Sequence, residues 1–273
     1  MSEISDSDFN LVRDLVYKES AISLDADMKY LVESRLTSLS RKTDYKDLND
    51  LLAGLRKGRD AMLATRVVEA MTTNETSFFR DSHPFETLYK EVLPSIASSH
   101  SGDINIWCAA CSTGQEPYTI AMAVHENCPQ LVSRIRIRAT DISSEVVAKA
   151  AAGKYNRLEV NRGLPMQLLT KYFVQRGLSW EVSPVLRDMI TFEQLNLIRD
   201  WKGLPDMDVI FLRNVLIYFD PDVKTRILQN TSKVLKPGGC LFLGLSETTL
   251  NLNTEYQRVT TDSSHYYKIA RAG

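Results

Sequence analysis

The sequence predicts two domains of different classes: a small all-α domain over residues 1–72 and an α/β domain over residues 73–273. Three observations predict this division. Apolar residues recur at helical spacing through the first part of the chain, where no proline precedes Pro84. After Ser82, short apolar runs alternate with helix-like stretches. The length of 273 residues suits one large domain or one medium domain with a small partner, and the change of pattern favours the second.

The all-α domain is predicted from four apolar runs, each spaced so that its apolar side chains share one helix face. Asp6, Asp25 and Asp44 precede such runs at positions typical of N-caps. Four helices in a small bundle are therefore expected. The runs are Phe9, Val12, Leu15 and Val16; Leu31, Val32, Leu36 and Leu39; Leu48, Leu51, Leu52 and Leu55; and Met62, Leu63, Val67 and Met71.

The α/β domain is predicted from short apolar runs separated by helix-like segments. Such βαβ units indicate a parallel sheet covered on both faces. A last run at residues 265–269 is expected to add an edge strand. The other strands are expected at residues 104–109, 135–139, 189–192, 208–212 and 240–244, and helices at about 115–127, 143–152 and 221–235.

One stretch, residues 153–187, is longer than a normal connection between a strand and a helix. It contains an amphipathic segment at 164–172, followed by short strands with turns over 173–185. We interpret it as an inserted subdomain.

Composition excludes several classes. The net charge of −1 disfavours a nucleic-acid binder, which usually carries a basic surplus. The longest clean apolar run, near residues 209–212, is far shorter than the roughly 18 residues of a membrane span. The polar, acidic N-terminus does not resemble a signal peptide, and four cysteines are too few for a disulfide-rich domain. We expect a cytoplasmic protein with reduced thiols, no membrane insertion and no nucleic-acid partner.

The most informative segment follows the strand at 104–109. Small residues at Ala110, Ser112 and Gly114 precede a helix, so a ligand can approach the backbone there. The alternative is an ordinary tight turn. Asp141 ends the next strand, where a carboxylate can accept hydrogen bonds from ribose hydroxyls; the alternative there is a helix N-cap. The two features together favour a nucleotide-like ligand.

The first turn of the following helix distinguishes two candidate cofactors. Glu116 and Pro117 place a negative charge and a missing N–H donor where a dinucleotide pyrophosphate would bind. S-adenosylmethionine, which carries a sulfonium and an ammonium group, suits this position better. The turn and strand at 235–243 are also typical of Rossmann-like methyltransferases.

Cys108 and Cys111 have the C-x-x-C spacing of redox motifs. Both lie inside the cofactor loop, however, and no second pair completes a zinc site. We interpret them as small buried thiols and expect no metal cofactor.

Five motifs together resemble one family, the CheR-type methyltransferases that esterify glutamates on bacterial chemoreceptors. The likeness covers essentially the whole chain. The motifs are TTNETSFFRD at 72–81, AACSTGQEPY at 109–118, ATDIS at 139–143, NL at 196–197 and FLRNVLIYF at 211–219.

The resemblance implies a Rossmann-like class I methyltransferase domain with an inserted small β-subdomain, preceded by a small all-α domain for substrate recognition. It implies S-adenosyl-L-methionine as cofactor, S-adenosyl-L-homocysteine as product, and chemoreceptor methylation helices as partners. The implied cofactor residues are Asn74, Thr76, Arg80, Glu116, Asp141, Asn196, Leu197, Arg213 and Asn214.

A glutamate acceptor is already ionised at neutral pH, so the reaction needs no general base. Arg80 is the candidate that positions the acceptor, because a guanidinium holds a carboxylate in a fixed geometry. Tyr218 is a second candidate, with a half-buried core tyrosine as the alternative.

Lys29, Arg35, Arg41 and Lys42 place a positive surplus on the second helix. They are candidates for steering the enzyme toward acidic receptor sites; the alternative is a solvated helix face. Some family members hold a C-terminal pentapeptide tether of the receptor through a glycine-rich loop, but residues 175–181 contain a single glycine. We therefore expect tether-independent action, with recruitment to receptor arrays at the membrane. The alternative functions are methylation of another substrate and non-catalytic binding of S-adenosylmethionine.

Overall fold

The computed structural model describes residues 4–58, 60–252, 254–262 and 264–270. The chain forms two compact units. The helical unit comprises the chain up to Thr73 together with Tyr218–Val223, and the sheet unit comprises Asn74–Ile217 and the chain from Lys224 onward. A domain boundary after residue 72 stays a prediction, and the predicted outer limits, residues 1 and 273, lie outside the described residues.

Within the described residues before Asn74, the chain forms four α-helices, as the apolar runs predict. Of the predicted N-caps, Asp25 lies at the N-cap position of the 3₁₀ turn that leads into the second helix, without a side-chain capping bond. Asp6 and Asp44 are wrong, because Ser5, Asp47 and Asp60 supply the capping oxygens for the first, third and fourth helices. Asp6 is instead the first helical residue. The helices are α1 (Asp6–Ser20), α2 (Lys29–Arg41), α3 (Leu48–Lys57) and α4 (Ala61–Met71), with a 3₁₀ turn at Ala26–Met28.

The sheet unit alternates helices and strands, as the sequence predicts. Its helices are α5 (His83–Thr87), α6 (Leu93–Ser99), α7 (Gln115–Asn127), α8 (Ser144–Ala152), α9 (Arg157–Asn161), α10 (Met166–Tyr172) and α11 (Pro184–Arg187), with a π-helical turn at Leu88–Val92 and a 3₁₀ segment at Pro129–Arg134. A 3₁₀ turn at Leu216–Tyr218 and α12 (Pro221–Val234) follow. The strands are β1 (Ile104–Ala109), β2 (Ile135–Asp141), β3 (Lys154–Asn156), β4 (Phe173–Arg176), β5 (Ser179–Val182), β6 (Ile190–Gln194), β7 (Met207–Leu212), β8 (Leu235–Leu243), β9 (Tyr256–Thr260) and β10 (His265–Ile269).

In the part of the chain that the structure describes, seven strands form the main sheet, in the order β6-β2-β1-β7-β8-β10-β9. The first five are parallel, and β10 runs antiparallel to both of its neighbours. The prediction of an edge strand at 265–269 is wrong in position, because β9 pairs with β10 and lies outside it. When these seven strands are renumbered 1 to 7 in chain order, their order across the sheet is 3-2-1-4-5-7-6. This order differs from a dinucleotide-binding sheet by the reversed strand inserted near the edge.

The predicted insertion at 153–187 contains a separate antiparallel sheet in the order β3-β5-β4. It lies in the chain between α8 and β6. The inserted β-subdomain is thus confirmed.

The core of the sheet unit follows from strands that are buried on both faces, as parallel sheets require. Every residue of β7 is buried. Phe211 of β7 stacks on Phe242 of β8, with ring centroids 4.7 Å apart. Because β1 has β2 on one side and β7 on the other, the order reverses at β1 and opens a crevice at the carboxyl ends of these strands.

Among the described residues, no helix combines the length and the apolar character that crossing a bilayer requires.

Candidate functional site

The loop that leaves β1 enters the crevice in a conformation that favours small residues. Ala110, Ser112 and Gly114 all have positive φ, at 61°, 50° and 94°. At Gly114 a Cβ would lie 2.8 Å from the Cβ of Ala150 in α8, so glycine is required by contact as well as by φ. The Ser112 hydroxyl donates to the Asn74 carbonyl at 2.7 Å. The loop is therefore held on two sides.

Asp141 ends β2 beside this loop. Its carboxylate is buried, with 6% of the residue exposed, and accepts hydrogen bonds from the backbone N–H groups of Ser112 (2.8 Å) and Ser143 (3.1 Å). The N-cap alternative is wrong, because the Ser143 side chain caps α8 by accepting from the Val146 N–H. Each carboxylate oxygen can accept more than one bond, so the geometry is compatible with a ribose contact. That role stays a prediction.

Arg213, directly after β7, is the centre of a buried ion-pair network. Its side chain is 1% exposed, and it donates to Glu116 at 2.7 Å and to Asp81 at 3.1 Å. It also donates to the Arg80 carbonyl at 2.9 Å, and its guanidinium lies 5.4 Å from the centre of the Phe85 ring. One arginine thus joins β7, the start of α7 and the segment that carries Arg80.

Burial raises the pKa of the Glu116 carboxyl, and the Arg213 guanidinium opposes this effect. A buried carboxylate with a hydrogen-bonded guanidinium partner is stabilised in its ionised form relative to an unpaired one. The Arg213 guanidinium therefore favours the ionised form of Glu116, against the effect of burial.

Segment 74–81 lies over the crevice in a strained turn. Phe79 and Asp81 are non-glycine residues with φ of 50° and 53°, and they flank Arg80 on both sides. The Phe79 N–H donates to the Thr119 hydroxyl of α7 at 3.1 Å. Left-handed non-glycine residues persist where surrounding contacts impose them, and they are concentrated at functional sites.

The inserted subdomain supports the same segment. Gly163 has φ of 87°, and a Cβ there would lie only 2.0 Å from the Phe78 carbonyl oxygen. Arg162 forms an ion pair with Glu75. Among the described residues, the Arg80 guanidinium has one hydrogen bond, to the Glu75 carbonyl at 3.3 Å. Most of its N–H donors are therefore available to a ligand.

Asn196 and Leu197 follow β6 at the side of the crevice. The Asn196 side chain accepts a hydrogen bond from the Ile198 N–H at 3.1 Å, and Leu197 is 7% exposed. Trp201 donates from its indole to the Leu197 carbonyl at 3.3 Å and packs edge-on against Trp107 of β1, with centroids 4.9 Å apart. The turn is thus ordered by its own contacts.

The sequence prediction missed a buried carboxylate. Glu247, which follows β8, is 6% exposed and accepts hydrogen bonds from the N–H groups of Asn214 (2.7 Å), Gly244 (2.7 Å) and Ile217 (3.3 Å). It also missed Asp81, the second carboxylate on Arg213. The sequence signal for Glu247 is weak: it lies three residues after Gly244, which directly follows the buried strand β8.

The predicted cofactor residues lie on adjoining segments around the crevice. Hydrogen bonds link the Asn74 segment to the β1 loop, that loop to Asp141, and Arg213 to both Glu116 and the Arg80 backbone. Thr76 is half-buried in the same segment as Asn74. The predicted roles of these residues in binding stay predictions.

Tyr218 belongs to the helical unit, where it is half-buried and its carbonyl accepts from the Ser23 N–H at 3.4 Å. Its catalytic role stays a prediction.

The four basic residues predicted for recognition differ in their surroundings. Arg35 donates to the Met71 carbonyl at 2.7 Å and the Thr72 carbonyl at 3.0 Å, so it stabilises the C-terminal end of α4. Lys29 pairs with Asp6 at 2.8 Å. Arg41 and Lys42 are exposed, and Lys42 lies just beyond the last residue of α2. Recognition by this set stays a prediction.

All four cysteines are buried free thiols. Burial raises the pKa values of the Cys108 and Cys111 thiols well above their usual range. Thiol–disulfide chemistry requires a thiolate, so the redox alternative is disfavoured. The described residues contain no group of three or more His, Cys, Asp or Glu side chains arranged to hold a metal ion.

The polar groups at the start of α7 fit S-adenosylmethionine better than a dinucleotide. Glu116 and Pro117 occupy the first turn of α7, so a pyrophosphate there would meet a carboxylate and would lack one N–H donor. The Nε of Arg213 is buried and has no hydrogen-bond partner among the described residues, which leaves a donor for an anionic or carbonyl group.

The sheet order with its reversed strand, together with Asp141 at the end of β2 and Glu116 in the first turn of α7, defines a class I S-adenosylmethionine-dependent methyltransferase. Family comparisons identify the branch. The CheR methyltransferase SAM binding domain matches residues 74–265, and the CheR methyltransferase all-alpha domain matches residues 7–72. The chain belongs to the CheR methyltransferase family.

Three relatives are similar over nearly their full length. Chemotaxis protein methyltransferase 1 of Pseudomonas aeruginosa is 42% identical over 270 residues, covering 97% of this chain and 98% of the relative. Chemotaxis protein methyltransferase Cher2 of Pseudomonas putida is 39% identical over 267 residues, covering 96% and 97%. Chemotaxis protein methyltransferase 1 of Vibrio cholerae is 37% identical over 270 residues, covering 97% and 98%.

Proposed function

We propose that the protein is a protein-glutamate O-methyltransferase that esterifies glutamate side chains on the methylation helices of bacterial chemoreceptors. The names of its relatives support a chemotaxis substrate. The observation that carries the proposal is the placement of Arg80. Its backbone is bonded to Arg213 and flanked by two left-handed residues, while most of its guanidinium donors have no protein partner.

The chemistry of the acceptor explains why such an arginine suffices. A glutamate with a pKa of about 4.3 is ionised at neutral pH, so the enzyme need not remove a proton. It must orient the carboxylate and exclude water. S-adenosylmethionine supplies the sulfonium methyl group that the carboxylate attacks in line. Arg80 can hold the acceptor by charge-assisted hydrogen bonds, with Tyr218 as a second candidate for positioning.

Each part of the cofactor has a candidate partner. Asn74 and Thr76 offer an amide and a hydroxyl for its amino-acid end, together with the orphan Nε of Arg213. Asp141 offers a carboxylate for the ribose. The segment Asn196–Leu197 is the candidate partner of the adenine edge, and Glu116 and Asn214 complete the proposed set. The product is S-adenosylhomocysteine, and no metal takes part.

We further propose that the all-α domain, residues 1–72, recognises the receptor. Arg41 and Lys42 are the exposed positive charges for this purpose, whereas Lys29 and Arg35 are half-buried. The single glycine in residues 175–181 supports action without a receptor tether. The proposed location is the cytoplasm, with recruitment to receptor arrays and no nucleic-acid partner.

The test is transfer of a tritiated methyl group from S-adenosylmethionine to receptor-containing membranes. The expected result is label that mild base releases as methanol, because methyl esters hydrolyse under conditions that leave N-methyl and C-methyl groups intact. Base-stable label would assign the enzyme to another acceptor. Binding of cofactor without transfer would make it a non-catalytic module.

A variant pair tests the role of Arg80. R80A should lose more than about 90% of turnover while its thermal unfolding stays close to wild type, because the lost hydrogen bond is a partly exposed one. R136A is the matched control, since Arg136 is exposed at the opposite end of the sheet and pairs with Asp103 at 3.3 Å. Wild-type turnover in R80A, or an equal loss in R136A, would contradict the assignment.

A further inference from the structure

The carboxylate of Glu247 joins two loops at the carboxyl edge of the sheet. One loop follows β7 and contains Asn214 and Ile217; the other follows β8 and contains Gly244. One carboxylate oxygen accepts both short bonds, from the Asn214 and Gly244 N–H groups at 2.7 Å each, and the other accepts from Ile217 at 3.3 Å. A carboxylate has about four acceptor sites, and three backbone N–H groups occupy most of them here.

The residues around Glu247 allow the two loops to approach each other closely. A Cβ on Gly244 would lie 2.6 Å from the Asn214 Nδ2 and 2.8 Å from the Glu247 Oε2, so only glycine allows this approach. Asn214 itself has φ of 58°, a left-handed conformation. Such a conformation is disfavoured for a residue with a Cβ, although less for asparagine, and contacts from outside the turn help to maintain it.

Asn214 lies directly after Arg213, so the hydrogen bonds to Glu247 are next in the chain to a residue of the proposed cofactor crevice. Arg213 precedes it and bonds Glu116 and the Arg80 carbonyl. The backbone conformation at Asn214 therefore sets the direction in which the chain leaves Arg213. A shift of this turn would displace the buried guanidinium that holds Glu116.

We propose that Glu247 is a positioning residue for the cofactor site: it fixes the left-handed turn at Asn214 by accepting backbone hydrogen bonds from both loops. It acts through Asn214 and Arg213 and does not itself touch the cofactor or the acceptor. The inference rests on the proposed cofactor site, and it is independent of which acceptor is methylated.

A second buried carboxylate provides a matched control. Asp208 is 3% exposed and accepts from the Asn105 N–H at 2.8 Å and from Lys236 at 2.7 Å. It lies near the start of β7, five residues before Arg213, which is about 16 Å along a strand. Loss of Asp208 should destabilise the fold without disturbing the crevice.

The experiment measures binding of S-adenosylhomocysteine to the full-length protein by titration calorimetry, well below the unfolding temperature. E247A should raise the Kd at least tenfold, whereas D208A should change it less than twofold although both variants lower the Tm. E247Q should stay within about threefold, because one amide oxygen can still accept the two short bonds. If E247A does not fold, E247D takes its place. The aspartate side chain is shorter by one methylene, so its carboxylate cannot reach both loops. A fivefold increase in the Kd is expected for E247D.

Two results would overturn the proposal: wild-type affinity in the variant that folds, or equal weakening in D208A. Wild-type protein that bound no S-adenosylhomocysteine would overturn the proposed function as well. Wild-type binding together with an unchanged Kd in E247A would overturn the role of Glu247 alone.

Discussion

Removal of the Arg213 guanidinium should strongly destabilise the fold, because it leaves Glu116 buried without its partner. The R213M substitution retains a long apolar side chain and deletes two ion pairs, at 2.7 and 3.1 Å, and one bond to a carbonyl at 2.9 Å. Removing one partner of a buried pair costs about 3–5 kcal/mol. Asp81 is 26% exposed and can be rehydrated, so most of the cost comes from Glu116, whose side chain is 14% exposed. We expect a loss of about 4 kcal/mol.

The assay is urea unfolding followed by tryptophan fluorescence and circular dichroism. The double variant E116Q/R213M should recover about half of the lost stability, since it no longer buries an unpaired charge. Two results would refute the reasoning: R213M within about 1 kcal/mol of wild type, or a double variant as unstable as the single one. Either would mean that the pair contributes little to the folded state.

The same variant has a predictable pH dependence. Burial raises the pKa of Glu116 in the folded state, and Arg213 opposes that increase, so R213M should raise this pKa further. An acid whose pKa is higher in the folded than in the unfolded state stabilises the fold when protonated and loses this contribution as pH rises through the folded pKa. The stability deficit of R213M should therefore be smaller near about pH 5 than near about pH 8. A deficit that grows on acidification would contradict this sign.

Three further predictions concern the loop, the thiols and the recognition helix. G114A should lower the free energy of unfolding by about 2–4 kcal/mol, because φ is positive and the new Cβ would lie 2.8 Å from that of Ala150. S-adenosylhomocysteine binding should weaken as well. A Tm within a degree or so of wild type would contradict this. All four thiols should resist a disulfide reagent in the native protein and react in urea, because they are buried, and rapid native labelling would refute this. R41E should reduce kcat/KM for receptor about two- to fivefold at low salt without changing cofactor affinity, whereas K18E on α1 should have no effect; equal rates for R41E and wild type would reject steering.

The parallel strands could be predicted from the sequence because burial on both faces makes them continuous apolar runs. β7 is the clearest case, since all six of its residues are buried. β9 was missed because its pattern, Tyr-Gln-Arg-Val-Thr, contains one buried residue in five and is stabilised by pairing with β10. Local hydrophobicity carries little information about an edge strand of that kind.

Side-chain partners distant in sequence could not be predicted. Arg35 was predicted to serve recognition, yet its guanidinium bonds carbonyls 36 and 37 residues away in the chain. Glu247 resembles an ordinary surface glutamate in the sequence, and only the approach of Asn214 to Gly244 reveals its contacts. The conformation of the loop after β1 was predictable, because small residues at fixed spacing indicate positions where the backbone needs them.

We propose above that the protein forms methyl esters on glutamate side chains of a chemoreceptor. The most direct measurement is mass spectrometry of receptor cytoplasmic fragments after incubation with the protein and S-adenosylmethionine, with fragmentation to locate the added methyl group. We predict one added methyl on particular glutamates, removed by mild base and absent when R80A replaces the wild-type protein. Methyl groups on nitrogen or on other side chains, or none on any glutamate, would contradict the account.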